Sequence, residues 1–224
     1  MKSNDELQKD VMDEIRWDPQ LKEVGAQIGV TAKEGVITLS GLVNSLNEKL
    51  AAEKAAQRVA GVKVVAVDIV VAINRPHEKT DAEIAEAIKN ALTWHSAVNE
   101  DRIEIKVDNG WVYLEGNVQW DYEKKAAENA VQNLIGVRGI TNRISVSAKS
   151  IDPVDIKKHI ASAFLRSATI DSSGVEVETS GSKVTLKGKV RSWMEKQDAE
   201  NVAWSMPGVL EVNNQIEVDT EILV

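Results

Sequence analysis

The chain has no cysteine in 224 residues. Disulfides and thiolate-bound metals are therefore excluded. Histidine is nearly as scarce. His77, His95 and His159 fall far apart, with no paired ligand spacing, so neither a histidine metal centre nor a histidine acid–base dyad is expected. No phosphate loop and no nucleophile motif occurs. Asp-x-Asp patterning of an ion-binding loop is missing too, since Asp152-Pro-Val-Asp155 opens a helix and Asp108-Asn-Gly110 is a turn. The chain is read as non-enzymatic, with no catalytic residue, no metal site and no cofactor.

Basic charge is also lacking. The net charge of −8 is spread over all three thirds of the sequence, and no more than two Lys or Arg residues are adjacent. A footprint for neutralising nucleic-acid phosphates is not expected, and general attraction to anionic lipid is weakened. No apolar run reaches signal-peptide or membrane-spanning length. As written, the chain reads as cytoplasmic, with the periplasm as the alternative if a leader has been removed.

What is present is a repeat. Gly35-Val-Ile-Thr-Leu-Ser-Gly41 leads to Gly61-Val62. Gly110-Trp-Val-Tyr-Leu-Glu-Gly116 leads to Gly136-Val137, and Lys183-Val-Thr-Leu-Lys-Gly188 leads to Gly208-Val209. Successive copies are 75 and 72 residues apart at both glycines. Matching order and spacing give three domains, placed at 1–75, 76–149 and 150–224. Domains this small have marginal cores, so packing among the three is expected. The linkers, 74–79 and 147–151, are not long Gly/Ser tethers.

Each copy begins with an apolar period of four: Leu7, Val11, Ile15; Ile84, Ile88, Leu92; Ile156, Ile160, Phe164. That is an amphipathic helix. A strictly alternating strand follows, clearest in Ile103-Glu-Ile105-Lys-Val107. The turns Glu34-Gly35, Asn109-Gly110 and Ser180-Gly181 then predict a hairpin. Ser45-x-x-Glu48 and Ser192-x-x-Glu195 predict capping boxes at the next helix. The middle copy has Trp120 in the serine's place, and Asp121 is expected to cap there. An alanine-rich stripe (Ala52, Ala55, Ala56; Ala127, Ala130; Ala199, Ala203) lets this second helix lie close to a sheet. Gly61, Gly136 and Gly208 are read as its left-handed end caps. A third strand closes each copy. The fold expected is α+β: three tandem αββαβ units, each a three-stranded mixed sheet with two helices on one face.

The recurring Val-x-Leu-x-Gly-x-Val, the Ala/Glu-rich helix and the closing Gly-Val-x-x-Val-x-Asn-x-Ile resemble the BON (bacterial OsmY and nodulation) domain, and nearly the whole chain resembles three of them in tandem. Gly41, Gly116 and Gly188 match the family's strand-end glycine. Gly61, Gly136 and Gly208 match its helix-end glycine. Asn142 and Asn214 match its third-strand asparagine, where the first copy has Val67. The resemblance implies a non-catalytic, stress-related interaction module. Its expected partner is a phospholipid or membrane surface, or an envelope protein. An ion-responsive (K⁺ or Ca²⁺) or scaffold role is the alternative.

Two further features stand out. Glu53, Glu128 and Glu200 recur at one helix position and are expected to face solvent. Tryptophan is over-used, with six against one Phe and two Tyr. Trp17 and Trp94 sit near the ends of first helices, and Trp111 lies on a hairpin strand. Trp120 and Trp193 are at strand–helix junctions, where the first copy has Leu46. Trp204 lies off the alanine stripe and could meet another domain. Trp94, Trp120 and Trp193 are the candidate ligand or membrane contacts, since indole suits half-wet surfaces. Burial against a helix or between units is the commoner use of such residues.

Overall fold

The computed structural model describes residues 2–73, 78–147 and 151–219. Unit one comprises α1 (Asn4–Trp17), β1 (Ile28–Lys33), β2 (Val36–Val43), α2 (Leu46–Arg58) and β3 (Val64–Val71). Unit two repeats this as α3 (Asp81–Thr93), β4 (Ile103–Asp108), β5 (Trp111–Val118), α4 (Asp121–Gln132) and β6 (Gly139–Val146). Unit three has α5 (Pro153–Arg166), β7 (Val175–Ser180), β8 (Lys183–Val190) and α6 (Trp193–Trp204). Its third strand comes in two pieces, β9 (Glu211–Asn214) and β10 (Glu217–Val218). In each unit the hairpin is antiparallel and the third strand runs parallel to the hairpin's second strand, which lies in the centre. Inward residues such as Ile37, Leu39 and Val43 meet the apolar stripes of both helices, and units two and three build their cores alike.

The strand glycines answer to close approach of backbones. Gly41, Gly116 and Gly188 sit inside the central strands, opposite Ile28, Ile103 and Val175, at φ +131°, +141° and +121°. A Cβ there would lie 2.3, 2.0 and 2.1 Å from the carbonyl oxygens of Gln27, Arg102 and Gly174. The other glycines correct an expectation. Gly61, Gly136 and Gly208 do have positive φ, but their helices already end at Arg58, Gln132 and Trp204, and Val59, Asn133 and Ser205 are the C-caps. The glycines shape the turn that follows. A side chain on them would press on Leu7, Ile84 and Ile151, so they let the start of each unit close over that turn.

Turns and caps are shifted in detail. Glu34-Gly35 and Asn109-Gly110 have φ > 0 at both residues, as a type I′ turn requires. In unit three the loop is Gly181-Ser182, not Ser180-Gly181, because Ser180 still pairs with Lys183. The α2 capping box is complete. At α6 Ser192 accepts from the Glu195 N–H at 3.2 Å, but the Glu195 carboxylate reaches past the cap. It accepts from the N–H groups of Arg191 (2.9 Å) and Asp171 (2.7 Å), and Glu195 is 4% exposed. Trp120 itself is the N-cap residue of α4. Indole cannot accept a hydrogen bond, so only the Glu123 half of the box survives, accepting from the Trp120 N–H at 2.9 Å. Asp121 does not cap. It is the first helical residue, buried and paired with Lys125 at 2.9 Å.

The units meet head to tail through their second helices. Leu46, the first residue of α2, and Leu50 join the core of unit two, and the Asn47 amide donates to Asn133 Oδ1 at the end of α4 (2.6 Å). On α4, Lys125 donates to Asn201 Oδ1 on α6 at 2.9 Å. Trp193, the first residue of α6, packs against the core of unit one. Its Nε1–H donates to the Lys63 carbonyl, past the end of α2, at 3.1 Å. The start of each second helix thus faces the far half of the next, and the three close into a ring.

Candidate surface-docking site

The first helix of a unit ends where its buried stripe ends. Two residues after Ile15 and Leu92, the last inward residues, the chain places Trp17 and Trp94. They are 81% and 89% exposed, although large aromatics usually bury much of their area. Both are backed by ordered structure. Asp18, next to Trp17, is buried and accepts from the Gln20 N–H at 2.9 Å and from Arg58 at 2.8 Å. Arg58 also reaches Glu14 at 2.8 Å, which ties the ends of α1 and α2 together. Burial pushes the Asp18 carboxyl up, but the hydrogen bonds and charge of Arg58 with the Gln20 amide outweigh it, and the group lies below the usual carboxylate range. Trp94 caps α3, its N–H donating to Asn90 O at 3.1 Å. In unit three the equivalent position is Arg166, preceded by an exposed Leu165.

The remaining tryptophans divide by environment. Trp120 is 38% exposed at the start of α4. Trp111 lies across Gly139, where an added Cβ would fall 2.5 Å from its ring, and its Nε1–H donates to Thr141 Oγ1 at 2.9 Å. An indole filling the space above a neighbouring glycine is a sheet-building device. Trp204 packs against the core of its own unit. Of the three candidate contacts, Trp94 and Trp120 are open to solvent and Trp193 is turned into unit one.

Sequence reasoning missed the use of the recurring glutamates. Glu128 and Glu200 are half-buried rather than solvent-facing. Each accepts a hydrogen bond at 3.0 Å from the third-strand asparagine, Asn142 or Asn214. In unit one, where Val67 replaces the asparagine, Glu53 accepts from Gln57 instead (3.2 Å). The co-occurrence of asparagine and glutamate in two copies was the signal available. These pairs lock helix to sheet.

Among the described residues no group of three His, Cys, Asp or Glu converges as metal ligands, and no buried side-chain nitrogen or oxygen lacks a hydrogen-bond partner. His95 and His159 sit in different units, each engaged with its own helix or turn, and His77 lies outside the described residues. No described helix is long and apolar enough to cross a membrane. Exposed indoles, Trp17 and Trp94, stand at the ends of two first helices.

Comparison with known proteins agrees with the repeat. The model of the BON domain matches residues 3–73, 80–148 and 152–220. Osmotically-inducible protein Y of Escherichia coli (strain K12) is 26% identical over 144 residues, which is 61% of this chain and 72% of that protein. Among solved structures, CdsD, a structural protein of the type III secretion system of Chlamydia trachomatis, aligns over 94% of this chain and 91% of its own at 13% identity, with a TM-score of 0.28. The C-terminal domain of CdsD aligns over 97% of this chain and 98% of its own at 14% identity, with a TM-score of 0.27.

Proposed function

The chain belongs to the BON-domain family, and on that footing we propose that it is a non-catalytic stress-response protein that docks onto phospholipid surfaces through Trp17 and Trp94. The observation that carries this reading is the near-complete exposure of two indoles at equivalent ends of first helices. Indole is favoured at the boundary of hydrocarbon and water. Trp120 is a further candidate on unit two. The osmotic induction in the name of the related Escherichia coli protein supports a stress role.

The charge of −8 sets the mode of contact. An acidic protein gains little from anionic headgroups, so docking rests on apolar side chains and resists salt. Co-flotation with phosphatidylcholine vesicles, compared between the unmodified chain and Trp94→Ser, tests the proposal. Flotation that falls in the variant supports it, and absence of flotation by the unmodified chain overturns it.

A further inference from the structure

The outward faces of the three sheets carry different side chains at the same positions. Where units one and three pair Val36 with Val64 and Lys183 with Glu211, unit two pairs Trp111 with Gly139. The register sets the outward residues of unit two in three rows across β4, β5 and β6. The rows are Asp108, Trp111 and Gly139; Lys106, Tyr113 and Thr141; Glu104, Glu115 and Arg143. The missing side chain at Gly139 lets the indole lie down on the sheet. A Cβ there would be 2.5, 2.6 and 2.7 Å from three successive carbons of the indole's benzo ring. Such nearly equal distances place it over the face of the ring, not at its edge. With that face on the sheet and Nε1–H donated to Thr141 Oγ1 at 2.9 Å, the opposite face is turned to solvent, and Trp111 is 43% exposed. Tyr113 follows two residues along the same face, about 7 Å away at roughly 3.4 Å per residue. Lys106 Nζ lies 5.7 Å from the centre of the Tyr113 ring.

The third row is polar. Glu115 and Arg143 form an exposed ion pair at 3.4 Å, and Glu104 stands directly across the strands from Glu115. Like charges opposed on a sheet are unfavourable. An open hollow of about 370 Å³ lies here, lined by Glu104, Ile105, Lys106, Tyr113, Glu115 and Arg143. A flat apolar platform beside a row of charged acceptors and donors matches a pyranose ring. The axial C–H groups of such a ring make an apolar face that stacks on indole. Its equatorial hydroxyls donate to carboxylates and accept from a guanidinium or ammonium at the rim. Hydroxyls donated to Glu104 and Glu115 also relieve their repulsion. Charge agrees with a neutral ligand. The rows hold two cations (Lys106, Arg143) against three carboxylates (Asp108, Glu104, Glu115), so a polyanion gains little. A purely apolar partner would take water from the ion pair without replacing it. We propose that the outward sheet face of unit two binds a neutral chain of gluco-configured pyranoses, with Trp111 as the stacking platform and Glu104, Glu115 and Arg143 as the hydroxyl partners. This site is separate from the indoles at helix ends, because α3, which carries Trp94, packs on the opposite side of this sheet.

Isothermal titration calorimetry with cellohexaose and with the hexamer of N-acetylglucosamine tests the site. The unmodified chain binds at least one of them. Trp111→Ala weakens that binding at least roughly tenfold, as loss of an aromatic anchor does, and Trp111→Phe, which keeps a ring over Gly139, retains most of it. Glu115→Ala/Arg143→Ala removes an exposed pair that adds little to stability. Its melting temperature stays that of the parent while its binding weakens by a similar factor. Trp17→Ser/Trp94→Ser binds as tightly as the parent. Failure of the unmodified chain to bind either sugar overturns the proposal. So does undiminished binding by Glu115→Ala/Arg143→Ala, because the sugar would then sit elsewhere.

Discussion

The side-chain amide of Asn142, on the third strand of unit two, donates to the Glu128 carboxylate on the helix above it at 3.0 Å. The same amide reaches the Lys124 carbonyl at 3.1 Å, and its Oδ1 accepts the Ile144 N–H at 3.2 Å. One side chain thus satisfies two acceptors on the helix and one donor on its own strand. Asn142→Val, the residue unit one uses, removes all three bonds and leaves Glu128 half-buried without its donor. A loss of roughly 1–3 kcal/mol is expected, read as a lower urea midpoint with unchanged slope. The double change Asn142→Val with Glu128→Gln recovers part of that loss.

Gly116 has φ +141° and no room for a methyl group, with Arg102 O only 2.0 Å from the position of a Cβ. Gly116→Ala adds backbone strain to a steric clash between paired strands. The cost expected is on the order of 3 kcal/mol, a large share of the stability of a small domain. Gly181→Ala meets nothing within 4 Å and costs about 1 kcal/mol from its φ of +58° alone. Thermal unfolding of both variants separates clash from strain.

Glu195 is buried and holds two backbone N–H groups from different segments, Arg191 and Asp171. Glu195→Ala strands both donors and costs roughly 2 kcal/mol or more. Glu48→Ala, at the half-buried box of α2, costs about 1 kcal/mol. Chemical denaturation of the pair checks the ordering.

Acid stability follows from groups whose carboxyls are held low. The Thr80 backbone N–H, Lys79 and the Thr80 hydroxyl draw Glu83 down to about 2. The Ser3 backbone and hydroxyl lower Glu6 in the same way, and Asp18 is lowered despite its burial. A folded-state value below the unfolded one adds stability above the unfolded value, and that stability is lost as pH falls through the folded one. Melting temperature should be level above about pH 5 and fall between about 4.5 and 2. Glu83→Gln makes the fall shallower within that window, and a variant as steep as the parent counts against this assignment.

Much of the fold was legible because it repeats. The four-residue periods gave the first helices, and the alternation with Asn109-Gly110 gave the hairpins. What escaped was position, not type. Gly61, Gly136 and Gly208 looked like caps because they follow helical stripes, but the helices stop earlier and the positive φ serves contact with the start of the unit. Asp121 looked like a cap, yet the N-cap position needs only a backbone, which Trp120 supplies. The site was less legible. Exposure of Trp17 and Trp94, and insertion of Trp193 into another unit, depend on three-dimensional neighbours that no local period encodes.

Quenching of tryptophan fluorescence by phosphatidylcholine brominated along its acyl chains tests surface docking most directly, because bromine quenches only indoles that reach the hydrocarbon boundary. The unmodified chain should be quenched equally at low and high salt, and Trp17→Ser/Trp94→Ser should lose most of that quenching while keeping its melting temperature. Quenching that is absent in the unmodified chain, or undiminished in the double variant, would contradict the account.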